Sequence, residues 1–350
     1  MTRRTLAASL VVALFAAATP AAAPKAEYDP AALARTVAPF LDEQTLLVGH
    51  ADLTRVDVAA AFGKLFALAG EMPEDLAGEL KGARDLAAKF VADMTAAGAT
   101  DVFLVVSLAD VPEEPLLLVV PLGKGADERA IRGLLYSGRP DGPTSRPANS
   151  SRRGRPRTQV NVHRRAVVRC NWPVWQRVRE MTPHRRPELA RAFAAAGDSA
   201  AQLLVLPTAD NRRVIEEMLP ELPEEIGGGP STALTQGLLW AAVGVNAPPG
   251  MHVNAVVQSR DAAAAKALKG IIGRGLALLA AERELRDLLP GDVIERLRAA
   301  LAPEVTGDRL TWRYSAARID DLVTAPLRHA IKAFAPPPPP SRRGEPASLR

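Results

Sequence analysis

Leu46-Leu47-Val48-Gly49-His50-Ala51-Asp52-Leu53-Thr54-Arg55-Val56 reads as a short apolar strand, then an aspartate, then a helical pattern. The same order returns at Leu203-Leu204-Val205-Leu206-Pro207-Thr208-Ala209-Asp210-Asn211-Arg212-Arg213-Val214. A repeated supersecondary unit constrains both copies at once, so this pair of segments is read before any local pattern. Each copy is followed by two apolar runs around a proline-containing turn. In the first half these are residues 102–108 and 116–122, around Asp110-Val111-Pro112-Glu113-Glu114-Pro115. In the second they are residues 238–245 and 252–258, around Asn246-Ala247-Pro248-Pro249-Gly250. Apolar runs bounded by such turn residues are hairpin signals. A helix opening at Asp127 or Asp261 comes next.

The second half adds Arg309-Leu310-Thr311-Trp312-Arg313-Tyr314, in which Leu310, Trp312 and Tyr314 share one face at period two. A closing helix is predicted over residues 320–334, with extra helices over 75–97 and 292–301. The order strand, helix, hairpin, helix, strand is that of the split βαβ arrangement. The expected fold is therefore α+β, two tandem βαββαβ (ferredoxin-like) units with extra helices. The first unit spans residues 24–196 and the second 197–335.

The ends of the chain read differently. Arg3 and Arg4 precede an apolar run over residues 6–18, and small residues follow up to Ala23. Those are the three parts of a secretory signal peptide, residues 1–23, with cleavage after Ala23 or Ala21. The run is shorter than the roughly twenty residues a spanning helix needs. Residues 261–281 are apolar but carry Lys266, Lys269 and Arg274, which would be costly in lipid. The mature chain is expected to be exported and soluble, in the periplasm or outside the cell. Residues 336–350 open with five prolines and are read as a disordered, proline-rich tail.

Composition excludes several classes. The 350 residues are 47% hydrophobic and 24% charged, which suits a globular chain and not a disordered or collagenous one. A single cysteine, Cys170, excludes an intramolecular disulfide and a cysteine-rich metal cluster. Net charge is +5, yet residues 139–191, bounded by Arg139 and Arg191, hold fourteen arginines against Asp141, Glu180 and Glu188. The rest of the chain is acidic. The block also holds Trp172 and Trp175. Three readings stand side by side: an anion-binding surface for phosphates or acidic polysaccharide; a solvated loop over 138–157 followed by a strand over 160–170; or a stretch translated out of frame. Its patterning predicts that residues 138–186 are the least regular and least packed part of the fold, with arginines facing water or a ligand.

No motif fixes a reaction. Gly197-Asp198-Ser199 has the look of a nucleophile elbow, but an elbow runs strand, serine, helix, and here a helix precedes and a strand follows. Gly123-Lys124-Gly125 sits where a phosphate-binding turn would, but lacks the third glycine, and Asp127-Glu128 would repel phosphate. There is no Walker A sequence and no HExxH. His50-x-Asp52 offers two metal ligands without a third. Asp52, Asp127, Asp210, Asp261 and Asp320 all fall at predicted helix starts and read as N-caps. No catalytic, cofactor-binding or metal-binding residue is assigned, and no cofactor.

In layout over about residues 40–335, a signal peptide followed by duplicated α+β units, the chain resembles a set of exported bacterial proteins of unknown function. That resemblance carries no activity. The expected function is a non-enzymatic binding or structural protein of the periplasm or cell envelope. The alternatives are an envelope hydrolase without a local motif, or a binder of anionic polymer through residues 139–191. An envelope component is a candidate partner; a nucleotide is not.

Overall fold

The computed structural model describes residues 28–110, 116–137, 158–248 and 250–334. The signal-peptide reading, the whole of the Arg139-to-Arg157 run and the proline-rich tail lie outside the described residues. Apolar runs between turn residues become ten strands: β1 (Thr45–Asp52), β2 (Asp101–Ser107), β3 (Leu117–Pro121), β4 (Thr158–His163), β5 (Ala166–Asn171), β6 (Ala201–Val205), β7 (Leu238–Asn246), β8 (His252–Ser259), β9 (Glu304–Thr306) and β10 (Arg309–Ser315). They form one sheet in the order β4-β5-β3-β2-β1-β6-β7-β8-β10-β9.

Every neighbouring pair in that sheet is antiparallel. The two ferredoxin-like units expected from the sequence are not confirmed. A split βαβ unit interleaves strands so that a parallel pair forms, whereas here β1, β2 and β3 meander side by side and a hairpin closes each outer end. The strand order outward from the centre is nonetheless the same on both sides: β1-β2-β3-β5-β4 and β6-β7-β8-β10-β9. The two series meet where β1 pairs β6, with Leu47 opposite Val205 and His50 opposite Gln202.

Among the described residues, twelve α-helices surround the sheet. Those that precede β6 in the chain are α1 (Pro30–Val37), α2 (Val58–Ala69), α3 (Glu74–Ala96), α4 (Glu128–Ser137), α5 (Trp172–Glu180) and α6 (Leu189–Ala196), the last of which packs across the seam on β6, β7 and β8. Those that follow β6 are α7 (Ala209–Met218), α8 (Thr232–Thr235), α9 (Ala262–Ala281), α10 (Arg283–Leu288), α11 (Gly291–Ala300) and α12 (Ala316–Phe334). One sheet face carries Val48, Phe103, Val119, Val168, Leu204, Ala242 and Val256, and α1, α5 and α6 cover it as the largest core cluster. The other face is covered toward its ends. There α3 and α4 bury Val120, Val160 and Val167, while α9 packs on Leu310, Val257 and Trp312. Between these patches Leu203 on β6 and Leu239 on β7 stay exposed. A separate cluster joins α2 and α3 to Leu327 of α12, and Lys64 of α2 pairs with Asp320 of α12 at 2.5 Å.

The expectation of a poorly packed stretch is wrong for residues 158–186. They form the β4–β5 hairpin and α5, and they place Val160, Val167, Val168, Cys170, Val174 and Val178 in the core. The arginines are absorbed by partners distant in sequence. Arg177 bridges Asp42 and Asp110. Arg186, whose side chain is 2% exposed, reaches Glu188 at 2.7 Å and the carbonyls of Thr45 and Leu206. Arg164 donates to the carbonyls of Pro39 and Met181. A helix and hairpin that fit the core this closely support in-frame coding of this part.

The hairpin turn bears a cost. Its two residues, Arg164 and Arg165, both lie at positive φ, 49° and 60°. Such turns favour glycine, because Cβ meets the neighbouring carbonyl in that region. Arg165, whose side chain makes no hydrogen bond among the described residues and whose carbonyl keeps its bond from Leu122 N after substitution, is the better position to change. Arg165→Gly should stabilise the fold by about 1 kcal/mol, read as a higher urea midpoint at unchanged slope. A lower midpoint would mean that the side chain matters more than the backbone.

No described helix is long and apolar enough to cross a membrane.

Candidate functional site

A single row of residues crosses the buried sheet face at the seam. Phe103 lies opposite His50, His50 opposite Gln202, Gln202 opposite Gly244, Gly244 opposite Asn254, and Asn254 opposite Arg313. Strand alternation points all six to the same face. The row begins in a closed polar network and ends in an open cavity.

At the closed end, His50 packs against the rings of Phe103 and Phe193, with centroids 4.8 and 6.1 Å away. Its Nδ1 meets Gln202 Oε1 at 3.0 Å and its Nε2 meets Asp101 Oδ1 at 2.8 Å. The Gln202 amide is oriented by its nitrogen, which donates to the Gly197 carbonyl at 2.6 Å and to Tyr28 Oη at 2.8 Å. Nδ1 must therefore carry a proton, and a second proton lies between Nε2 and the carboxylate. Burial would raise the Asp101 pKa, but hydrogen bonds from His50 and Thr100 outweigh it and hold the carboxyl below its ordinary range. Burial is the main cause that raises the Tyr28 phenol above its usual value. With both ring nitrogens engaged and 4% of the side chain exposed, His50 is a structural cross-strand link. Asp52, the second member of the suspected metal pair, instead accepts from Thr54 N and Thr54 Oγ1.

In the middle of the row, the C-terminus of α6 lies directly on Gly244. Its last carbonyls are all met by donors. Phe193 O accepts from Tyr28 Oη and Gly197 N, Ala195 O from Asn254 Nδ2 at 2.7 Å, and Ala196 O from Ser199 Oγ at 3.1 Å. Gly197, at φ 75°, ends the helix in a backbone region that suits glycine. The order helix, Gly197, Ser199, strand is the reverse of an elbow. Ser199 is buried and spends its hydroxyl on the helix end.

At the open end lies a cavity of about 560 Å³. The turn 196–199, the start of β8 (His252, Val253, Asn254), the end of β10 (Arg313, Tyr314, Ser315) and Arg318 in the first turn of α12 line it. Asp198 is held by Arg55 at 2.6 Å, and Arg55 also reaches Asn246 Oδ1 at 2.7 Å. Asn246 Nδ2 donates to His252 Nε2 at 3.0 Å, while His252 Nδ1 bonds the Gly250 carbonyl, so the ring is a neutral tautomer. Tyr314 donates to Ala300 O at 2.8 Å. Burial raises its pKa, and the nearby Arg318 charge works the other way. Arg313 and Arg318 are exposed, and among the described residues no carboxylate pairs with either.

The remaining sequence candidates are placed elsewhere. Asp127 and Asp261 cap α4 and α9, accepting from Ala130 N and Ala264 N. Three assigned caps are corrected. Asp52 closes only a 3-10 turn, Asp210 lies inside α7, whose cap is Thr208 with Asn211, and Asp320 lies inside α12. The cap of α2 is Asp57, which holds Ala60 N at 2.8 Å. Asp57→Ala should cost about 1 kcal/mol and Asp210→Ala only a few tenths, both readable by urea unfolding. Equal losses would reject the reassignment. Gly123-Lys124-Gly125 is the turn before α4. Cys170 is buried, and burial, with Asp110 adding, pushes its thiol up to about 12, so it is no nucleophile at neutral pH. Trp175 packs edge-on to His163 at 5.8 Å, and Trp172 is partly exposed at the start of α5.

Arg313 and Arg318 were not singled out by the sequence, where Arg313 reads as the solvent side of an alternating strand. The available signal was a strand that runs directly into a helix with no acid in its first turn.

Comparison with protein-family models, with curated proteins and with solved structures finds no match.

Proposed function

We propose that this chain is an exported, non-enzymatic binding protein of the periplasm or cell envelope, built from two tandem α+β units, that takes a ligand in the cavity at the ends of β8 and β10. The carrying observation is that cavity. It is open, lies within the usual size range for small-molecule sites, and is lined by polar groups. Its rigid supports, α6 and the cross-strand row, are fixed by hydrogen bonds before any ligand arrives. Matching strand order on the two sides of the seam supports the duplication, and the basic start, short apolar run and small-residue exit support export.

Catalysis has less support. A serine, a histidine and an aspartate all line the cavity, but Ser199 donates to a helix carbonyl, His252 is tied to Asn246, and Asp198 to Arg55. Among the described residues no hydrogen bond links the serine to a base, as nucleophilic catalysis requires. Anionic polymer binding through residues 139–191 loses Arg164, Arg177 and Arg186, which the fold itself uses.

Amide NMR of the full chain against a small-solute library tests the reading. Shifts at Val253, Asn254 and Ser315, without turnover on esterase, phosphatase and glycosidase substrates, are expected. Steady turnover would replace it with the hydrolase alternative. Recovery of the chain with Met1 intact in the cytoplasm would remove export.

A further inference from the structure

We propose, resting on the cavity being the binding site, that its ligand is a small organic oxyanion, a carboxylate or a phosphate ester, held by Arg313 and Arg318. Three observations converge on that chemistry. The first is uncompensated charge. Among the described lining residues Asp198 is the only acid, and Arg55 already neutralises it at 2.6 Å. Arg313 and Arg318 then leave the cavity with two positive charges that no described carboxylate balances. Elsewhere in the fold, arginines near carboxylates close ion pairs, as Arg177, Arg186 and Arg213 do.

The second is the arrangement of helix ends. A helix C-terminus repels anions, and α6 ends at this cavity. Its terminal carbonyls are occupied by Tyr28, Asn254, Ser199 and the Gly197 N–H, so its negative end is quenched. The helix that begins at the cavity, α12, is nineteen residues long and has no acidic residue in its first turn. Its N-terminal end adds partial positive charge beside Ser315 and Arg318.

The third is size. About 560 Å³ is far more than a bare inorganic ion fills, and Val253 and Tyr314 give part of the wall an apolar character. An anionic group on a small organic body matches that combination. Guanidinium groups suit carboxylate and phosphate because their donors form a planar fork that can bind two oxygens at once.

The test uses the full chain at low salt with glycerol phosphate, citrate and glycerol as probes, followed by calorimetry and by the Val253 and Asn254 amide signals. At least one of the two anions should bind and shift those amides, and glycerol should not. Arg313→Gln and Arg318→Gln should each weaken anion binding about tenfold, the size of one lost charged hydrogen bond. Arg84→Gln, on the outer surface of α3, should leave it unchanged. Circular dichroism confirms that each variant is folded. Where Arg313→Gln proves unfolded, Arg318→Gln alone decides, since its side chain is exposed on the first turn of a helix. Undiminished anion binding in the arginine variants overturns the proposal. So does glycerol binding with the same shifts in wild type and variants, which would leave the binding-protein reading intact. If no probe, charged or neutral, moves those amides, both readings fall.

Discussion

Arg177→Met should destabilise the protein by about 3–5 kcal/mol, the range for breaking a buried ion pair from one side. Arg177 Nε and Nη2 reach the two Asp110 oxygens at 3.0 and 2.5 Å, and Nη1 bonds Asp42. Burial alone would lower the Arg177 pKa, but Asp110 and Asp42 more than offset it and hold the guanidinium charged. Asp110 has a side chain only 5% exposed and Asp42 one 13% exposed. Methionine fills much the same space, so what is lost is charge compensation and not packing. Asp42 keeps Thr45, Gln44 and Ser107 as hydrogen-bond donors. Asp110→Asn in the Arg177→Met background should therefore recover a measurable part of the loss. Urea unfolding of the three proteins checks both statements. A single-variant loss under 1 kcal/mol would mean that α5 is not pinned to the start of β1 and the end of β2 in this way.

Gly244→Ala should cost about 3 kcal/mol, at the upper end of overpacking losses. Gly244 needs no unusual backbone angle. Its importance is contact: a Cβ there would overlap the Ala196 carbonyl oxygen and come within 2.5 Å of Ser199 Oγ. Both are rigid, because they form the end of α6 and its cap. The helix must lift from β7, and with it go the bonds that join Ala195 to Asn254 and Gly197 to Gln202. Loss of the cavity geometry should accompany the loss of stability. Gly82→Ala in the exposed interior of α3, where nothing lies within 4 Å of the added methyl, is the control and should stabilise by about 1 kcal/mol. If the two substitutions have effects of the same sign, the close approach of α6 to β7 is not what Gly244 serves.

Hairpins were legible because they depend on local signals. Residues 238–245 and 252–258 were expected and Leu238–Asn246 and His252–Ser259 are found. Which strands would be neighbours was not legible, since periodicity reports the face of a residue and not its partner strand. β1 and β2 are both apolar enough to sit anywhere in the sheet. β9 has three residues, too few for a pattern, and β4 was hidden because Asn161 and His163 fall on its inward face. The arginine-rich block misled through composition. Its charges looked uncompensated only because Asp42 and Asp110 lie far away in sequence. Caps failed by small offsets, Asp57 in place of Asp52 and Thr208 in place of Asp210, since several polar residues crowd each helix start. The cavity was illegible for a related reason: α6, β8, β10 and α12 contribute to it from segments that show no shared motif.

The pairing of β1 with β6 has a consequence for how the chain comes to be folded. Leu47 finds Val205 across the seam, so one edge of β1 stays open while more than a hundred intervening residues are made. Chains are synthesised from the N-terminus, and contacts this distant are slow to form because loop closure precedes any reward. Until β6 arrives, β1 presents a row of unpaired N–H and C=O groups on a flat, apolar ribbon, a template for another copy of itself. The finished sheet hides that edge at its centre and leaves at its rims only three-residue β9 and β4, with its polar Gln159, Asn161 and His163. The vulnerable period of this protein is thus the interval before β6 reaches β1, and a holding chaperone at that stage would protect it more than any feature of the native state.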